Sequence, residues 1–147
     1  MMRGIRFARQ WIDEDMVELT IEIGDGRAVF SNQIYVGHKQ LRDAVEGLHA
    51  FKDHVYGGIF NLRFGEFGPE YGSGAFDARL QFRQRGKIWL RVSAQSQFER
   101  FDGKDFASEA TLYLITETAL FDQFVRDFRA MSVGDGEQAK LEAIDWN

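Results

Sequence analysis

The chain has no cysteine and one proline, Pro69, in 147 residues. Without thiols, disulfide frameworks, zinc ribbons and thiol nucleophiles are excluded, and the composition suits a reducing compartment. No window approaches eighteen consecutive apolar residues, so no membrane-spanning helix is expected. Residues 1–7 are mixed and charged and lack the apolar centre of a signal peptide. A cytoplasmic protein without a membrane partner is the resulting expectation. Signatures of chemistry are equally scarce. The glycines of residues 65–74 lack a Gly-Lys-Ser/Thr ending, and Gly24 and Gly26 sit in a hairpin rather than between strand and helix. His49 and His54 are five apart, which misses the one-face spacing of a helical ligand pair, and His38 falls at a helix start. Ser73 lies in no nucleophile-elbow pattern. No catalytic, cofactor-binding or metal-ligating residue is therefore assigned, no cofactor is expected, and the chain does not read as an enzyme.

What is present is apolar periodicity. Hydrophobic residues make up 44% and Phe alone accounts for 14 positions, ample for a core and against disorder. A chain of this length fits one domain, 1–147, able to bury roughly 68–70% of its unfolded surface. Residues 118–131 carry Leu120, Phe121, Phe124, Val125, Phe128 and Met131 at helical spacing, with Asp122, Gln123, Arg126, Asp127 and Arg129 opposite. A second helix is expected over 38–51, with the stripe Leu41, Ala44, Val45, Leu48 and Phe51. Gly47 either weakens it or lets it lie close to a sheet.

Strands are read from period-two alternation. Ile5 and Phe7 begin a short one. Val17, Leu19, Ile21 and Ile23 form the buried side of the next, and Asp25-Gly26 suggests a two-residue turn placing Ile23 opposite Ala28 and Ile21 opposite Phe30. Ile34 and Val36 continue the return strand, with Asn32 as the odd polar member. A strand over 59–64 precedes the breaker-rich stretch 65–74, read as a mobile loop. Phe76, Ala78, Leu80 and Phe82 then face Ile88, Leu90, Val92 and Ala94 only if the turn has three residues, 84–86, with Gly86 left-handed. That register sets Arg79 opposite Arg91, an unfavourable pair unless acids or a partner lie close. A loop around 102–108 leads to a strand over 109–116, apolar on both sides and so expected in a sheet centre. Residues 132–147 read as a loosely docked tail, with a short helical turn carrying Leu141 and Ile144. The fold class is α+β: an antiparallel sheet of about six strands with two amphipathic helices packed on it.

The net charge of −5 is unevenly spread. Residues 11–26 hold six acids and no Lys or Arg, while 79–91 hold five bases and no acid. Mutual neutralisation of the two is the simplest expectation, with two separate partner surfaces as the alternative. Asp13, Glu14 and Asp15 with Glu18 and Glu22 form the first candidate surface for a protein partner. The second candidate is the basic hairpin face, Arg79, Arg83, Trp89 and Arg91, able to meet phosphates and stack a base. The negative overall charge weighs against a nucleic-acid partner, and a solvated outer face, or one partly covered by acids such as Glu18 and Glu22, is the expected state. A small-ligand site under the 65–74 loop, walled by Phe67, Tyr71 and Phe76, is a third possibility.

With its elements in order, the chain resembles the immunity proteins of bacterial polymorphic-toxin systems, in particular the wall-associated-protein immunity type. The resemblance rests on the acidic first hairpin ending in Asp25-Gly26 and on a helix with Leu41, Val45, Leu48 and Phe51. It continues through Gly86-Lys87-Ile88-Trp89-Leu90-Arg91-Val92 and the closing strand and helix with Leu112, Leu114, Leu120, Phe124 and Phe128. Tyr56 and Phe60 meet part of the aromatic spacing after the first helix. It spans about residues 17–131 as a pattern of apolar positions. Such a resemblance implies an inhibitor that binds a secreted toxin domain and blocks its active site, with no catalytic residue of its own. Oligomeric state is not legible.

Overall fold

A computed structural model describes residues 2–53, 58–69 and 73–145, apart from the Gln84 side chain. The chain runs β1 (Arg3–Ile12), β2 (Met16–Asp25), β3 (Val29–Gly37), α1 (His38–Phe51), β4 (Ile59–Phe64), β5 (Ala75–Gln84), β6 (Lys87–Gln95), β7 (Glu99–Phe101), β8 (Lys104–Phe106), β9 (Glu109–Glu117), α2 (Thr118–Ser132) and β10 (Gln138–Glu142). The α+β class holds, and every strand pairing is antiparallel. The strands divide into two four-stranded sheets, β10-β1-β2-β3 and β4-β5-β6-β9, with β7-β8 as a small ribbon.

The inner faces of both sheets and the apolar stripes of both helices meet in one cluster. Phe7 of β1 lies at its centre, fully buried, with ring centroids 5.5 Å from Phe76 and 6.3 Å from Phe64 of the other sheet. Phe124 and Phe128 of α2 close on it at 5.6 and 5.3 Å. A second stack joins Phe51 of α1 to Phe82 at 4.7 Å and to Phe121 at 5.6 Å. These edge-on and offset pairings suit the ring quadrupoles and add about 0.5–1.5 kcal/mol each beyond burial. Both predicted helices bury the expected stripes, Leu41, Val45, Leu48 and Phe51 in α1 and Phe121, Phe124, Val125, Phe128 and Met131 in α2. Gly47 serves close approach: a Cβ there would stand 2.5 Å from the Phe60 ring.

The β5–β6 hairpin has the predicted three-residue turn. Phe82 faces Ile88, Leu80 faces Leu90, and Gly86 is left-handed at φ 67°. The β2–β3 register departs from expectation by two residues, with Ile23 opposite Phe30 and Ile21 opposite Asn32. The cause is Asp25, whose Oδ1 accepts from the Arg27 and Ala28 N–H groups at 2.8 Å and whose own N–H donates to the Ala28 carbonyl at 3.2 Å, so the turn centres on Gly26-Arg27. A two-residue shift preserves which side each residue faces, so alternation could not reveal it. Asn32 is buried and spans the sheets, its Nδ2 donating to the carbonyls of Gln95 (2.7 Å) and Ala75 (3.3 Å).

Three further expectations are corrected. β9 is not central: it pairs with β6, and on its other side, among the described residues, only Ile144 bridges to Ile115. The 102–108 loop contributes to a ribbon turned by Asp102 and Gly103, both at positive φ. Residues 138–142 form a strand on β1, not a helical turn, and bury Ala139 and Leu141. Gly4 permits that pairing, because its φ of 135° and the Leu141 carbonyl oxygen leave no room for a Cβ. Gly4→Ala is therefore expected to lower stability by about 2 kcal/mol or more. Gly37→Ala, where a Cβ meets nothing within 4 Å, should be nearly silent. Urea titration of the two variants checks the contrast.

Candidate functional site

The two candidate surfaces lie on the outer faces of different sheets. The acidic one begins at the β1–β2 turn. Asp13 Oδ1 accepts from the Asp15 and Met16 N–H groups, both at 2.8 Å, and the Asp13 carbonyl accepts from His38 Nε2 at 2.6 Å. These backbone donors, first Met16 and then Asp15, hold the Asp13 carboxyl below its ordinary value of 3.8. The same device, from Ala28 and then Arg27, lowers Asp25. Asp13 is thus a structural acceptor, while Glu14 and Asp15 project from the pinned turn.

Glu18 stands in register between Trp11 on β1 and Tyr35 on β3. Trp11 is 48% exposed and Tyr35 49%. The neighbouring Glu18 carboxylate raises the Tyr35 phenol above 10.0, through hydrogen bonding first and its charge second. The result is an aromatic–acid–aromatic row across three strands, beside Glu14 and Asp15. Glu22 stands four residues up β2, opposite Arg6, and pairs with its Nη2 at 3.1 Å. The five predicted acids therefore separate: Asp13 and Glu22 are engaged, and Glu14, Asp15 and Glu18 share one end of the sheet. Trp11 and Tyr35 went unnoticed because β1 was expected to be short. The signal available was Trp11-Ile12 directly before an acidic turn.

The basic surface is brought together as predicted. Arg79, Arg83, Trp89 and Arg91 line a depression of about 250 Å³ with Gln81 and Tyr113. Arg79 lies opposite Arg91, which in turn lies opposite Tyr113; Trp89 lies between Gln81 and Ile115. The Arg83 guanidinium covers the Trp89 ring at 5.0 Å. Tyr113, on a strand expected to be central and apolar on both sides, is 58% exposed.

The expected neutralisation does not occur. Glu22 is taken by Arg6, and Glu18 stands on the other sheet, in register with Tyr35. At the basic face Lys87 pairs with Glu117 at 3.4 Å, and Asp77 accepts from Asn61 at 3.2 Å. Among the described residues Arg79, Arg83 and Arg91 have no ion pair. Of the residues named for the third possibility, Phe76 is buried against Phe7 and Phe64. Tyr71 lies outside the described residues, as do His54 and Tyr56. No group of three or more His, Asp or Glu among the described residues is placed to hold a metal ion. Among the same residues no helix is long and apolar enough to cross a membrane.

No family model matches the chain, and no curated protein does. Among solved structures, the CdiA-CT/CdiI toxin and immunity complex from Enterobacter cloacae is similar over 87% of this chain and 99% of that chain, at 12% identity and a TM-score of 0.45. A likeness that distant bears on neither activity nor partner.

The juxtaposed Arg79 and Arg91 generate a local prediction. Like charges directly opposite on a sheet destabilise it by a few tenths to about 1 kcal/mol. Arg79→Gln should therefore raise the melting temperature by about 1–3 °C at low salt, a gain that fades as salt screens the pair. Calorimetry at two ionic strengths measures it; a fall in melting temperature would contradict the unpaired state of the two arginines.

Proposed function

We propose that this is a non-enzymatic binding protein, an immunity-type inhibitor of a bacterial toxin domain, acting in the cytoplasm of the cell that makes the toxin. The observation that carries this reading is the Trp11–Glu18–Tyr35 row beside Glu14 and Asp15. Half-exposed Trp and Tyr rings, fixed on a sheet rather than a loop, are the residues that dominate protein interfaces, since each covers a large area at little entropic cost. Carboxylates around them match the basic cleft of an enzyme that handles nucleic acid and accelerate encounter. Such a patch blocks a cleft by occupancy, and no chemistry is required of the inhibitor. The apolar-pattern resemblance to immunity proteins agrees with this reading.

Where a large secreted protein is encoded beside this gene, its C-terminal domain is the partner to test. Co-expression should restore growth to cells poisoned by that domain. Glu14→Lys with Asp15→Lys, leaving Asp13 to hold its turn, should slow association at least about tenfold at low salt. Trp11→Ala with Tyr35→Ala should instead speed dissociation, losing about 2 kcal/mol or more. Full growth protection by a protein carrying all four substitutions would contradict the assignment of this surface.

A further inference from the structure

We propose that the outer face of the β4-β5-β6-β9 sheet is a binding site for single-stranded nucleic acid, with phosphates held by Arg79, Arg83 and Arg91 and bases stacked on Trp89 and Tyr113. This inference is independent of the toxin reading, which uses the other sheet. Its first ground is charge. The acids bordering the face are engaged, Glu117 by Lys87, Asp77 by Asn61 and Glu109 by the Gln95 side-chain amide. The three arginines have no carboxylate partner among the described residues, and two of them face each other across the hairpin. A repulsive pair held on a rigid sheet is relieved when an anion lies between its members.

The second ground is spacing. Arg79 and Arg91 are cross-strand neighbours with Cβ atoms about 5 Å apart and together suit one phosphate. Arg83 stands four residues along β5, about 13 Å away at 3.3–3.4 Å per residue. The row therefore offers two positions at which successive phosphates of one strand can be held. The third ground is the nature of the surface between them. Trp89 lies level with Gln81, midway between Arg79 and Arg83, and Tyr113 flanks Arg91. Exposed rings and a guanidinium laid over one of them offer flat surfaces on which unpaired bases stack. The depression of about 250 Å³ among these side chains is shallow relief on a sheet, open to a strand and too small to take a duplex groove. An acidic protein segment would satisfy the same arginines, and comparison with polyglutamate tells the two occupants apart.

Fluorescence anisotropy of a labelled oligouridine of about 12 nucleotides tests the proposal on the intact protein. Two phosphates, one shared by Arg79 and Arg91 and one at Arg83, predict that log K falls with log salt with a slope of about −1.4. Arg83→Gln should weaken binding and bring the slope to about −0.7. Trp89→Ala should weaken binding about 5- to 150-fold and leave the slope in place, the mark of stacking rather than charge. Melting curves of the two variants establish that each remains folded. Absence of binding at about 50 mM salt overturns the proposal. So does equal affinity for polyglutamate or for a duplex of the same length. Either failure leaves the toxin reading standing, because Trp11, Glu14, Asp15 and Tyr35 take no part.

Discussion

Everything in this molecule hangs on Phe7. Its ring, at 0% exposure, touches both β4 and β5 of the opposite sheet and both inward-facing phenylalanines of α2's middle turns. A sheet with one apolar face must bury that face against another element, and these two sheets have no common strand. The Phe cluster supplies the missing inner surface to both at once. Other ties support it without replacing it. Asn32 donates across to Gln95 and Ala75, and Arg9 donates at 3.0 Å to the Met131 carbonyl near the end of α2, where the helix dipole favours a cation.

The consequence for function is separation. With both apolar faces turned inward, each sheet is left with an outer face whose side chains stand on rigid backbone. The faces differ in sign and share a logic: charged groups set among exposed aromatic rings. On the first, Tyr35 and the turn backbone engage part of the acid, leaving Glu14 and Asp15 projecting. On the second, the acids are engaged and the arginines are left. Opposite charges that might have cancelled are instead kept apart by the core, which leaves the protein with two surfaces able to act on different partners.

The sequence is legible wherever a one-residue error would have exposed apolar side chains. The β5–β6 turn was legible for that reason: Phe82 meets Ile88 only with three residues in the loop. The same holds for the stripes of α1 and α2. Legibility ends where parity is silent. The β2–β3 turn shifts by two residues because Asp25 binds two backbone N–H groups, and both registers bury Ile21 and Ile23. β10 was hidden because Ala139 and Leu141 are its only buried residues and glycines precede them. Of the surfaces, the basic hairpin was readable because its residues are local in sequence. The fates of Glu18 and Glu22 depend on Tyr35 and Arg6, which only strand pairing brings near. Position along the chain carries charge; topology decides who neutralises it.

Native-state hydrogen exchange on a Phe7→Leu protein tests the dependence on this ring most directly. Amides of β2 and of β6, one from each sheet, are the reporters. If Phe7 joins the sheets, protection in both falls by the same amount, about 1–3 kcal/mol. Loss confined to the β1–β2–β3 amides, with β6 as protected as before, would show that the sheets stand independently and would contradict the account.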